Sequence, residues 1–165
     1  MSEPDEVDRI VAAWSRERPD LDFSPLQVIS RLRRLARHVE RMRRNAFAAA
    51  GLEPWEFDVL SALRRVGEPH ELSPTALVAE TGVTSGTMTN RIDRLVEREL
   101  VERRADASDR RGVIVAMTDR GRKHVDAAME TLTAAEALIL DRLSIEDRED
   151  LEGSLRRLGL GLAGP

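Results

Sequence analysis

Five residues between positions 85 and 94 have the chemistry of a surface that reads nucleic acid. Met88, Ile92 and Leu95 recur at helical spacing and must face a core, which leaves Ser85, Thr87, Thr89, Asn90 and Arg94 on or near the opposite face. Small hydroxyls and an amide enter a major groove closely and hydrogen-bond base edges or phosphates, and the start of the helix adds a field favourable to phosphate. Downstream, Arg104, Arg110 and Arg111 fall in or beside a polar loop, 105–112, where an arginine can reach the negative potential of a narrow minor groove. Asp109, which would otherwise repel phosphate, suits the orientation of one of them by a charge-assisted hydrogen bond.

A second set is sparser. Asp58 lies inside the apolar run 55–60, and Arg91 sits on the flank of the core face of the 84–98 segment, where an unpaired guanidinium is costly. The spacing allows the two to meet, either as a plain buried bridge or as part of a site for an anion. Trp14, in an amphipathic segment near the amino terminus, is either an anchor for that segment or an aromatic plane for a ligand.

These residues need elements to hold them. Val7, Ile10, Val11 and Trp14 predict a short first helix over 7–16, ended by the segment around Pro19. Ser24 and Pro25 read as N-cap and first helical position of a long helix stopped by Gly51. Its apolar positions Leu32, Leu35, Val39, Met42, Ala46 and Ala49 form a seam suited to a partner helix. Pro54 opens a third helix with Trp55, Val59, Ala62, Leu63 and Val66 towards a core, and the 67–72 stretch ends it. Ser73 and Pro74 start a brief helix to Glu80, and a turn at Thr81, Gly82 and Val83 leads to the helix from about Thr84 to Arg98. Two short helices about such a turn make a helix-turn-helix. The segments 100–103 and 113–117 are strand-like and close a β-hairpin over the polar loop, which makes the wing. From Thr118 to about Leu162 two helices divide near Leu143, with Ser144 and Asp147 at capping-box spacing.

The fold class is therefore mainly α with a small β-hairpin wing, a winged helix-turn-helix in one domain over 1–165. Residues 5–50 and 118–162 supply dimerisation helices and 54–117 the DNA-binding part. A net charge of −4 argues against a nucleic-acid partner until its distribution is read: residues 31–44 carry seven arginines against one glutamate, whereas 141–152 carry six acids against two arginines. With no cysteine, disulfides, thiolate metal sites and cysteine-based redox sensing are excluded. The acidic amino terminus lacks the features of a secretion signal and no apolar run approaches a membrane span, so the cytoplasm is the expected compartment and no membrane is involved. Gly159, Gly161 and Gly164 match a nucleotide-loop pattern without the strand and helix it requires. His38, His70 and His124 are scattered, so no metal, no cofactor and no enzyme activity are expected.

Taken together, Gly51-Leu52, the 73–95 reading head, Leu100-Val101-Glu102-Arg103-Arg104, Asp109-Arg110-Arg111-Gly112 and Met117-Thr118 resemble the MarR family of bacterial regulators, over about Leu26 to Leu158. The resemblance implies a homodimer held by its terminal helices, one recognition helix per half-site of a near-palindromic double-stranded operator, and wings in the flanking minor groove. Arg111 then becomes the wing-tip residue and Asp109 its support; Met117 stands where leucine is commoner. More narrowly, Trp14, Asp58, Arg91 and Arg103 resemble the four-residue signature of the urate-responsive branch. That branch implies a small anionic ligand between the added first helix and the reading head, displacing Asp from Arg and releasing a repressor from DNA. Polycarboxylates such as citrate or aconitate suit the same set. A winged-helix adaptor that binds protein and not DNA is the alternative, with a small helical enzyme behind it.

Overall fold

The computed structural model describes residues 3–105 and 112–162. The chain divides into two compact units, 1–43 and 44–165.

In the first unit, α1 (Glu6–Glu17) is capped by Asp5, whose carboxylate accepts from the backbone N–H groups of Val7 and Asp8 while the Asp8 carboxylate accepts from the Asp5 N–H. These acids have a second task. Arg31 of α2 (Ser24–Ala49) donates to Asp5 and Asp8, each at 2.8 Å, and Arg34 pairs with Glu6, so part of the basic stretch is neutralised by the acidic amino terminus. The backbone N–H of Asp8 and the Arg31 guanidinium hold the Asp5 carboxyl below its ordinary range. The start of α2 differs from expectation: Asp22 accepts from both the N–H and the hydroxyl of Ser24, each at 2.8 Å. A carboxylate two residues upstream satisfies the orphan donor, and Ser24 is its client and not the cap.

The second unit holds the reading head. Its core gathers Phe57, Leu60 and Leu63 of α3 (Pro54–Arg65), Leu77 of α4 (Pro74–Thr81), Met88, Ile92 and Leu95 of α5 (Ser85–Glu97), and Val125, Ala128 and Leu132 of α6 (Asp119–Leu140). Ser73 caps α4 through the Ala76 N–H, and Thr84 caps α5 through the Thr87 N–H. Between them Gly82 closes α4 at φ 66°, a left-handed conformation that costs glycine little. This turn sets α5 against α4 and α3, so the predicted helix-turn-helix is present.

The sheet has one strand more than the hairpin reading supplies. β1 (Glu71–Leu72) lies where the sequence predicts only a helix end, and pairs antiparallel with β3 (Val113–Met117), which also pairs with β2 (Val101–Ala105). Two residues carry too little alternation to announce a strand. The wing is thus anchored at its base, with Leu72 and Arg103 both opposite Val115.

The exit from the wing is fixed by a close approach. Leu100 O accepts from Thr118 N–H at 3.1 Å, Thr118 caps α6 through Gly121 N–H, and a Cβ at Gly121 would lie 2.1 Å from that same carbonyl oxygen. After α6, α7 (Ile145–Leu162) begins at the expected box, Ser144 Oγ to Asp147 Oδ2 at 2.6 Å and Asp147 N to Ser144 Oγ at 3.1 Å. Among the described residues, no helix is long and apolar enough to cross a membrane.

Candidate nucleic-acid interface

The polar face of α5 is laid out as the periodicity requires. Ser85, Thr87, Thr89, Asn90 and Arg94 are exposed, with Met88, Ile92 and Leu95 buried behind them. Two of the hydroxyls have local duties, Thr87 Oγ1 lying 2.9 Å from Thr84 Oγ1 and Thr89 Oγ1 donating to Ser85 O at 3.0 Å. Asn90 stands exposed on the same face.

Arg91 and Arg94 share a partner that sequence reasoning assigns to the core. Trp55, at the second position of α3, is half-buried, and its ring carries the guanidinium carbons of Arg94 at 4.8 Å and Arg91 at 5.7 Å from its centroid. Both distances are within the range of cation–π attraction. Trp55, Thr87, Asn90, Arg91 and Arg94 line one shallow cleft of about 230 Å³. The apolar type of Trp55 makes it look like core; the sign that it is not is its place beside the polar face of a neighbouring helix.

Asp58 corrects a second expectation. It is exposed, it forms no ion pair with Arg91, and the carboxylate that α3 buries is Glu56, at 1% exposure. The phase of α3 explains this: Glu56, Phe57 and Leu60 turn inward together, and position 58 turns out. Glu56 accepts from its own helix start, Glu53 N–H at 2.9 Å, and pairs with Arg98 at the end of α5, which also donates to Gly51 O at 2.8 Å. The spacing Glu53 to Glu56 ahead of an apolar run is the sequence signal for it.

On the wing, Arg103 binds Asp93 of α5 at 2.6 Å, joining the wing strand to the reading helix. Arg104 is taken up by Glu71 of β1 at 2.6 Å and by Glu102 beside it. Asp109, Arg110 and Arg111 lie outside the described residues. In the first unit Trp14 is 51% exposed and stacks on Phe23, centroids 6.0 Å apart.

A pattern emerges from the arginines between residues 54 and 117. Among those described, Arg64, Arg65, Arg98, Arg103 and Arg104 each pair with a carboxylate. Arg91 and Arg94 have the Trp55 ring instead, which attracts a cation without cancelling its charge. The unneutralised positive charge of the described reading head is therefore concentrated on one face of α5.

Known proteins place this architecture. The MarR family model matches residues 50–112, which span the helix-turn-helix and most of the wing. The HTH-type transcriptional regulator PecS of Dickeya dadantii is 35% identical over 153 residues, covering 93% of this chain and 92% of that protein. This chain belongs to the MarR family. As a MarR protein it is a DNA-binding transcriptional regulator and not an enzyme. The HTH-type transcriptional repressor NicR of Pseudomonas putida is 29% identical over 142 residues, 84% of this chain and 88% of NicR. Among solved structures, Bordetella bronchiseptica BpsR, whose DNA binding is regulated by 6-hydroxynicotinic acid, superposes with a TM-score of 0.65 at 27% identity over 84% of this MarR chain and 96% of BpsR. A MarR protein of Bacillus stearothermophilus gives a TM-score of 0.72 at 22% identity over 84% and 94%, a likeness of fold.

Proposed function

We propose that this regulator is a homodimeric repressor that reads a near-palindromic operator through α5 and releases it when a small anion binds. The observation that carries the reading is the placement of Arg91 and Arg94, the described arginines of the reading head without a carboxylate, beside Asn90 and Thr87. Paired arginines hold structure; unpaired ones on an exposed helix attract phosphate. Asn90 then suits a base edge, and Ser85 and Thr89 the close walls of the groove. Arg110 and Arg111, with Asp109 as support, extend the contact into the minor groove, whereas the partners of Arg104 favour a role in the sheet.

What α6 and α7 leave uncovered supports dimerisation. Leu138, Leu140, Ile145, Leu151, Leu155 and Leu158 are all at least 38% exposed, a stripe that a second copy would bury. Two α5 helices would then sit about 34 Å apart, one turn of duplex.

For the ligand, Arg103 is the informative member of the set Trp14, Asp58, Arg91 and Arg103. Its partner Asp93 lies on α5, so an anion that takes Arg103 from Asp93 uncouples the wing from the reading helix. The response of BpsR to 6-hydroxynicotinic acid supports a flat heteroaromatic anion; urate, citrate and aconitate are the other candidates. Such a ligand acts only by binding the free dimer more tightly than the DNA-bound one. Titrating each compound against a fluorescent operator complex at fixed salt tests this. Release by one of them, absent in Arg103→Ala, is expected; DNA binding that none of them weakens would remove the ligand from the account and leave the operator reading in place.

A further inference from the structure

We infer that Trp55 is a positioning residue of the DNA interface, holding Arg91 and Arg94 together on its ring so that two like charges present one anion-binding edge. The inference rests on the reading that the exposed face of α5 meets DNA. Arg91 and Arg94 are three residues apart on α5, where two guanidiniums are neighbours and repel each other. Elsewhere in the described reading head an arginine is met by a carboxylate, which cancels its charge. Here the two are met by an aromatic face, which draws both cations to 4.8 and 5.7 Å and leaves their charge intact.

The helix turn that carries the ring is well held. Trp55 follows Pro54 in the first turn of α3, and the adjacent Glu56 is buried and tied to both Glu53 N–H and Arg98. A fixed plate reduces the rotamer freedom that two long side chains would give up on meeting phosphate, and that saving appears as affinity. Thr87 and Asn90 complete the wall of the same cleft, so the edge formed by the two arginines lies beside the group best suited to a base.

The test compares Trp55→Leu, Trp55→Phe, Arg91→Ala/Arg94→Ala and the triple variant Trp55→Leu/Arg91→Ala/Arg94→Ala. Binding is read by anisotropy on a duplex selected from random sequence by the wild-type dimer, and folding by thermal melts. Trp55→Leu is expected to bind about tenfold more weakly, with Trp55→Phe between it and wild type because a ring face remains. In the background lacking both arginines, Trp55→Leu should cost less than about twofold. Wild-type affinity in Trp55→Leu, or a tenfold loss that persists in that background, overturns the inference. Unchanged affinity in Arg91→Ala/Arg94→Ala overturns the underlying reading of the α5 face, and is seen separately. Should Trp55→Leu melt early, Trp55→Phe with and without the arginines decides the same question.

Discussion

Replacing Gly121 by alanine places one methyl group where the backbone leaves no room for it. The new Cβ would stand 2.1 Å from Leu100 O, against more than 3.0 Å for real contacts of this kind, and 3.2 Å from Met117 Cγ. The methionine can turn aside, but the carbonyl cannot: Leu100 is fully buried and its oxygen accepts from both the N–H and the hydroxyl of Thr118 at 3.1 Å. Relief requires α6 to withdraw by about 1 Å, an overpacking cost of about 1–3 kcal/mol. Weakening of the Thr118 bonds adds about 1 kcal/mol, and the better helix propensity of alanine returns a similar amount. The net expectation is about 2 kcal/mol of destabilisation, or about 4–8 °C in melting temperature at a fixed protein concentration. Gly153→Ala is the matched control, since its Cβ would meet only the Arg157 guanidinium at 3.5 Å, and it should be neutral or stabilising by up to about 1 kcal/mol. Equal melting of Gly121→Ala and wild type would refute the close approach and with it the junction of wing and α6.

Three further outcomes follow from individual side chains. Arg98→Ala strands the buried Glu56 carboxylate with only the Glu53 N–H, and should destabilise by about 2–3 kcal/mol in urea unfolding, below the full cost of a sealed pair because Arg98 itself is half-exposed. Asp93→Ala and Arg103→Ala remove an exposed pair and should cost about 0.2–1 kcal/mol of stability, yet both should weaken operator binding, non-additively in the double variant. The folded-state pKa of Asp5 is depressed, first by the Asp8 N–H and then by Arg31, so the stability its carboxylate contributes to the α1 cap and the Arg31 pair is complete above about pH 4 and is lost as pH falls through the lower folded value, while Arg31–Asp8 and Arg34–Glu6 are separate links; thermal melts across acid pH should show a smaller loss in Asp5→Asn than in wild type.

Much of this molecule can be read from its residues because the signals are local. Ser73-Pro74, Thr84 and Ser144 with Asp147 announce helix starts by hydrogen bonds closed within four residues, and Met88, Ile92 and Leu95 fix which face of α5 is free. What escapes is set by residues distant in sequence. β1 exists only because β3 pairs with it, and no property of Glu71 or Leu72 declares that. Asp58 and Glu56 are two positions apart in the same apolar run, and which of them is buried depends on the helical phase that packing against α5 and α6 selects. The size of Trp55 points it inward, whereas Arg91 and Arg94, 36 and 39 residues later, give its ring another use. The acidic amino terminus and basic α2, separate charge runs in the sequence, neutralise each other in part through Arg31 and Arg34.

On the proposed reading, the exposed face of α5 meets DNA with Asn90 on a base edge and Arg94 on phosphate. The most direct measurement is the salt dependence of affinity for selected and random duplexes, in wild type, Asn90→Ala and Arg94→Ala. Asn90→Ala should lower the ratio between selected and random DNA about 5–100-fold with the salt slope unchanged, whereas Arg94→Ala should weaken both duplexes alike and make the log–log slope shallower by about 0.9 for each phosphate no longer neutralised. Equal ratios and equal slopes in all three proteins would rule out this role of α5 and move the DNA-binding surface elsewhere on the molecule.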